Sequence, residues 1–201
     1  MSDPSTVRIK NEIKEILRSN CLEEIGCSIE PNPSDFHQVN AMIMGPPDSP
    51  YADGVFHLAV KFPREYPFKP PDVKFLTNVW HPNISSVTGV ICLDILKDRW
   101  AASLSLRTIL ISIRALLSDP VPDDPQDAVV AKQFIVNKHM FEKTAAIWTH
   151  MFAGGPENSV DEDYNNRLNK LEEIGVGRKE ALRFLSNSNW NVEKSIEAAY
   201  D

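Results

Sequence analysis

The stretch Phe62-Pro63-Arg64-Glu65-Tyr66-Pro67-Phe68-Lys69-Pro70-Pro71 constrains the fold more than any other. Each proline lacks an N–H donor and holds the residue before it out of the helical region. The stretch is therefore excluded from a helix interior and from a central strand. It has to be a stiff connection at the margin of a sheet. Before it, Phe56, Leu58, Val60 and Phe62 alternate with His57, Ala59 and Lys61, the pattern of a half-buried strand. Val39, Ala41 and Ile43 alternate in the same way, and Val73 to Leu76 give a last short strand in a strand-rich region that begins at Cys27. Turn chemistry at Gly45-Pro46-Pro47-Asp48-Ser49-Pro50 and at Asp53-Gly54 leaves only short links between them. Parallel neighbours need a crossover of a dozen or more residues, so an antiparallel meander is expected.

Helical periodicity flanks this region, which makes the class α+β. Asp3-Pro4 reads as a cap followed by proline at the first helical position, and Ile9, Ile13, Ile16 and Leu17 recur at helical spacing within residues 4–20. The opposite face carries Arg8, Lys10, Lys14 and Arg18 against Glu12 and Glu15, either a basic docking patch or a solvated face. Ser105 or Ser103 caps a second helix with Leu106, Ile109, Leu110, Ile113, Leu116 and Leu117 on one wide apolar face. It stops at the acidic loop Asp119-Pro120-Val121-Pro122-Asp123-Asp124-Pro125. Further helices are expected over 126–137 and His139–Phe152, the second with a Met/aromatic stripe read as packing. Ala153-Gly154-Gly155-Pro156-Glu157-Asn158-Ser159 has no apolar period and marks a linker. The expected organisation is a main domain over 1–153, a linker over 154–160 and three short helices over 161–201. The third of these helices is capped by Asn191.

Candidate chemistry centres on Cys92. Turn-forming Ser85, Ser86, Thr88 and Gly89 separate it from His81-Pro82-Asn83, and Ile91 and Leu93 flank it. A thiol on such a ledge suits nucleophilic chemistry, although an isolated cysteine is also a common buried apolar residue. His81 precedes a proline in a turn pattern, so its ring is read as a local hydrogen-bonding group and not as a base for the thiol. Nothing in the neighbouring sequence marks Cys92 as a permanent thiolate. The net charge of −7 without a Lys/Arg run argues against nucleic acid. Three cysteines without a CxxC pair point to neither zinc nor disulfides and fit a reducing compartment. No apolar run reaches the ~20 residues that span a bilayer, and the polar start lacks a secretory pattern. A soluble intracellular protein, cytoplasmic or nuclear, is expected.

His81-Pro82-Asn83, Cys92-Leu93-Asp94-Ile95-Leu96, Trp100, the Tyr66–Pro71 run and Pro122-Asp123-Asp124-Pro125 resemble the core of the ubiquitin-conjugating enzymes, in order and spacing across residues 4–152. Ile174-Gly175-Val176 stands where ubiquitin-associated domains usually show Met-Gly-Phe or Met-Gly-Tyr, and the tail is similar to that three-helix module. The resemblance implies a ubiquitin-conjugating fold with a four-stranded antiparallel meander, and a cofactor-free, metal-free acyltransferase. Its Cys92 would take ubiquitin from an activating enzyme as a thioester and pass it to a lysine amine or a ligase cysteine. It further implies chains of the kind that send proteins to the proteasome, and a monomer. Asn83 matches the family asparagine, either as an oxyanion donor or as a brace beneath the thiol. Asp124 matches the acidic position that orients the incoming lysine, or is a turn residue before Pro125. His81 and Pro82 are structural, and Asp119, Asp123 and Asp127 read as solvated loop charge. Arg8, Lys10, Lys14, Phe68, Ala101 and Ala102 match positions that dock the activating enzyme and RING- or HECT-type ligases, with core packing the other reading of Phe68. Ala101-Ala102-Ser103 departs from the common Ser-Pro-Ala and implies narrower ligase choice. Ile174, Gly175 and Val176 would bind ubiquitin, weakly for want of an aromatic, or form only a helix-ending loop. An inactive ubiquitin-binding adaptor is the competing class, and the thiol with Asn83 and Asp124 argues against it. A different ubiquitin-like modifier is a third reading, which the tail disfavours.

Overall fold

The computed structural model of the chain describes residues 3–157 and 160–200. Helix α1 (Pro4–Arg18) leads through a short α2 (Cys21–Ile25) into four strands, β1 (Cys27–Pro31), β2 (Gln38–Met44), β3 (Val55–Lys61) and β4 (Asp72–Phe75). The strands pair in chain order and antiparallel throughout, so the meander forms as expected. Its register sets Ala41 against Leu58 and Leu58 against Phe75, which keeps the apolar alternation on one face. That face covers α3 (Leu106–Ser118), whose six expected apolar residues are all buried. Ser105 is its cap: the hydroxyl oxygen accepts from the Thr108 N–H. Helices α4 (Ala128–Val136) and α5 (Lys138–Ala153) follow, then α6 (Glu162–Glu173), α7 (Arg178–Asn187) and α8 (Val192–Tyr200). The sequence pattern did not mark α2, whose five residues are too few to show a period. No described helix is long and apolar enough to cross a membrane.

The proline-rich stretch runs from the end of β3 to β4 and contains no helix or strand. Its Tyr66 side chain turns inward, and here the expectation for α1 needs correction. Glu12 lies among the charged residues of the outer face by spacing, yet it is only 6% exposed. Both carboxylate oxygens accept from the Tyr66 hydroxyl at 2.9 Å, and one accepts from the Leu106 N–H at 2.8 Å. Arg8 donates to the same carboxylate and to the Leu104 carbonyl. A buried carboxylate is tolerated when paired and hydrogen-bonded, and these donors come from three separate segments. Arg8 is accordingly half-buried and Lys10 lies 4.5 Å from the Phe36 ring centroid, while Lys14 stands exposed.

α5 ends on Gly154 in the left-handed region. Of the expected linker 154–160, Asn158 and Ser159 lie outside the described residues. The last three helices are seated on the main domain through α5 and α4. The Trp148 indole N–H donates to the Ser186 hydroxyl at 2.9 Å, and the Trp190 indole N–H donates to Thr144 Oγ1 at 2.8 Å. Both indoles are buried, so this seam is a continuation of the core.

Removing the Glu12 side chain strands the Tyr66 hydroxyl and the Leu106 N–H in a dry site. Glu12→Ala is expected to lower unfolding stability by about 2–4 kcal/mol in urea titration. An unchanged midpoint would show that the carboxylate only decorates the surface.

Candidate active site

Cys92 sits just after the last β-bridge residues and two residues before a 3-10 turn (Asp94–Leu96), outside any regular element. The loop before it folds back on β4: the Phe75 N–H donates to the Gly89 carbonyl at 2.9 Å, and Lys74 bridges to Val90. Gly89 has φ +73, and a Cβ there would lie 2.0 Å from the Phe75 carbonyl oxygen, so only glycine fits. The Cys92 N–H donates to the Asn83 carbonyl at 2.8 Å, which fixes the ledge against the His-Pro-Asn segment.

Two charged side chains reach the half-exposed sulfur. The thiol donates to Asp124 Oδ2 at 3.4 Å, and the Lys97 ammonium stands 3.3 Å from Sγ. Asp124 is where the sequence reading placed it. Lys97 was missed, because a lysine five residues past a cysteine carries no signal until the 3-10 turn folds the chain back. The sulfur thus has both an acceptor for a proton and a cation within reach.

Asn83 is 1% exposed. Its amide N–H groups donate to the Val121 carbonyl at 2.7 Å and the Asp124 carbonyl at 2.9 Å, and its Oδ1 accepts from the Val121 N–H at 2.8 Å. The carboxamide is therefore spent on the acidic loop. Pro82 adds to the same tie, its carbonyl accepting from the N–H groups of Gln126 and Asp127. Asp127, expected to be solvated charge, is corrected by its bonds: Oδ2 accepts from the Ser86 hydroxyl at 2.6 Å and Oδ1 caps α4 through the Val130 N–H. Asp123 and Asp119 remain loop charge at the surface.

His81 is fully buried. Its Nε2–H donates to the Leu116 carbonyl at 2.9 Å, and Nδ1 accepts from the Asn83 N–H at 3.0 Å. Only the neutral ring satisfies both, and burial pushes its pKa down to about 4. It braces the segment and does not face the thiol. Burial likewise pushes the Cys27 thiol up to about 11, so that cysteine is an inert packing residue. Among the described residues no cluster of His, Cys, Asp and Glu is arranged to hold a metal ion.

Of the docking candidates, Phe68 is 82% exposed, which removes the core-packing reading. Ala101 is exposed and Ala102 half-buried, in the segment anchored by the Trp100 indole N–H on the Pro67 carbonyl. Ile174 and Gly175 are exposed, Gly175 at φ +93, and Val176 is half-buried against the last three helices.

A four-stranded meander over a capped helix holds one half-exposed thiol on a braced ledge beside an acidic loop. Residues 8–149 match the family model for ubiquitin-conjugating enzymes, and the chain belongs to that family. It is 48% identical to the ubiquitin-conjugating enzyme E2-22 kDa of Drosophila melanogaster, with the whole of both chains covered. It is also 46% identical to the human ubiquitin-conjugating enzyme E2 K, over 98% of each. Among solved structures, the E2 domain of a Toxoplasma gondii ubiquitin-conjugating enzyme superposes with a TM-score of 0.67 at 47% identity, covering 73% of this chain and 97% of that one. Full-length likeness to conjugating enzymes disfavours the inactive adaptor, and the protein is a ubiquitin-conjugating transferase.

The His81 pKa is lower folded than unfolded, so protons bind the unfolded state preferentially between pH 6.5 and about 4. Its contribution to stability is complete above pH 6.5 and is lost as pH falls through that window, with a slope of at most about 1.4 kcal/mol per pH unit. Nitrogen NMR should find the His81 ring as the Nε2–H tautomer, unprotonated at pH 5.5. A ring titrating near pH 6.5 contradicts the burial argument.

Proposed function

We propose that Cys92 is the residue that accepts activated ubiquitin, with the Asp124 carboxylate 3.4 Å from its sulfur the observation that carries the reading. In loading, the Cys92 thiolate attacks the thioester carbonyl presented by the activating enzyme. The C–S bond to Cys92 forms, and the activating enzyme's thiolate leaves. In discharge, a lysine amine attacks the same carbonyl carbon, the C–N bond forms, the C–S bond breaks to release the Cys92 thiolate, and the nitrogen gives its surplus proton to water. The Lys97 ammonium, 3.3 Å away, lies where that negative charge develops. Asp124 orients the incoming ammonium and takes a proton from it, directly or through water. Asn83 serves as the brace that holds Asp124 at the sulfur. For it to donate to the oxyanion, it has to release the Val121 or the Asp124 carbonyl first.

The exposed Phe68 with Ala101 and Ala102 supports a docking face for the activating enzyme and RING- or HECT-type ligases, with Lys14 at its free basic edge and Arg8 and Lys10 buttressing it. The three C-terminal helices are a ubiquitin-associated module presenting Ile174, Gly175 and Val176 to ubiquitin. The acceptor is then ubiquitin itself among other lysine-bearing proteins, and the product is the chain type that directs proteins to the proteasome. The enzyme works as a monomer in the cytoplasm or nucleus, which suits its three free cysteines.

Incubation with ATP, activating enzyme and ubiquitin, followed by non-reducing gels, tests the core of this reading. Wild type is expected to form a thiol-sensitive adduct, and Cys92→Ser an oxyester in its place. No adduct under conditions that charge another conjugating enzyme sinks the reading. Asn83→Ala and Asp124→Asn should charge but discharge to free lysine at least tenfold more slowly, since one well-placed polar group contributes about 10²–10⁴ at such centres. Wild-type discharge removes the role of whichever residue was changed. In NMR titration of labelled ubiquitin, Ile174→Asp should abolish the shifts caused by the C-terminal helices; persistence of those shifts places the contact elsewhere.

A further inference from the structure

The seam between the C-terminal helices and the main domain contains a polar connection that packing does not require. Gln133 of α4 is 3% exposed. Its Oε1 accepts from the Trp80 indole N–H at 2.8 Å, and its Nε2 donates to Asn189 Oδ1 at 3.1 Å, in the turn between α7 and α8. Trp80 is itself fully buried, packs at a tilt against Trp148 with ring centroids 5.1 Å apart and receives the Tyr51 hydroxyl on its carbonyl. The next residues along the chain are His81, Pro82 and Asn83, which hold Cys92 and the acidic loop.

The turn that reaches Gln133 is a strained one. Asn189 and Trp190 have φ +51 and +62 in succession. Asparagine tolerates that region, but for a bulky tryptophan it is a genuine outlier. The strain persists because both side chains are engaged across the seam, Asn189 with Gln133 and Trp190 with Thr144. Strained backbone maintained by contacts to another part of the molecule points to a function for those contacts.

We propose that Gln133 is a positioning residue through which the seated C-terminal helices fix Trp80 and, beyond it, the spacing of Asp124 from Cys92. This rests on the reading of Cys92 as the acyl carrier. With Asn189 in place, the Gln133 carboxamide has one orientation, oxygen toward Trp80. Without it, the carboxamide Nε2 is left unpaired in a buried site, and only the indole N–H holds the oxygen in place, so the bond to Trp80 is less firmly set. The 80–83 segment then loosens, and Asn83 holds the acidic loop less firmly. The C-terminal helices therefore act on transfer from Cys92 in cis, through a path separate from Ile174 and the ubiquitin contact.

The test uses the full-length protein charged with ubiquitin, and follows single-turnover discharge to free lysine over a range of lysine concentrations. Asn189→Gly suits the left-handed backbone and removes only the carboxamide. It is expected to lower the unfolding midpoint slightly, by the loss of one buried hydrogen bond, and to leave the protein fully folded under assay conditions, while the maximal discharge rate drops about three- to fivefold with the half-saturating lysine concentration unchanged. Asn189→Asp keeps an oxygen for Gln133 Nε2 and should discharge like wild type. Gln133→Leu should lower the maximal rate at least as far as Asn189→Gly. If Asn189→Gly discharges at the wild-type rate, or if Asn189→Asp is as slow as Asn189→Gly, the connection is structural only and the proposal is overturned. If wild type itself takes no ubiquitin from the activating enzyme, the reading of Cys92 fails instead, which is a separate result.

Discussion

The carboxamide of Asn83 is the interaction on which the site depends. Cys92 lies in irregular chain, so no helix or strand ladder holds its backbone in place. Side chain–backbone bonds substitute. Asn83 contributes two donors and one acceptor to the loop at Val121 and Asp124, while its own carbonyl takes the Cys92 N–H and its own N–H goes to His81. One buried residue thus ties its own segment to the Cys92 ledge nearby and to a loop some forty residues further along the chain. Burial strengthens each bond and makes each loss costly, so the arrangement is stiff. His81 serves that stiffness by remaining neutral, with one ring nitrogen donating and the other accepting.

The same device recurs at the other end of the sheet. Prolines keep the 62–71 stretch out of regular structure, and the buried Glu12 carboxylate ties it, through Tyr66, to α1 and to the start of α3. The Trp100 indole binds the Pro67 carbonyl and adds the 97–102 segment. The result is a rigid frame that holds the Phe68 ring out in water. An apolar ring kept exposed on a stiff loop loses little conformational entropy when a partner covers it, which suits a docking face. The 97–102 segment also carries Lys97 to the sulfur, so the frame around Phe68 and the thiol share one loop.

The C-terminal helices follow a different logic. A bundle of this size has a small core of its own, and here it completes that core by burying Trp190 against α5. Seating of this kind gives the main domain and the tail a common interior, with the indole N–H of Trp80, Trp148 and Trp190 each matched to a side-chain oxygen. Cooperative unfolding of the two parts is the natural consequence of a shared interior.

Much of this was legible in the amino-acid order. The alternation at Val39–Ile43 and Phe56–Phe62, the apolar face of Leu106–Leu117, the caps at Ser105 and Asn191 and the glycine break after Ala153 all depend on neighbours within a turn or two. They emerge in the structure within a few residues of where the pattern puts them. The position of the thiol was likewise set by local residues, the turn before it and the apolar pair beside it. What local pattern does not encode is which distant groups meet. Glu12 has the spacing of a solvated residue and is buried, because its partners are Tyr66 and Leu106. Asp127 reads as loop charge and is a clamp, because Ser86 lies opposite. Whether Asn83 faces the sulfur or the loop is decided by Val121 and Asp124, some forty residues away. The sequence alone therefore determined most of the elements and the place of the thiol, since periodicity and turn chemistry act over a few residues. Only the tertiary structure decided the surroundings of the sulfur and the seating of the tail, since those bonds join groups that chain order keeps apart.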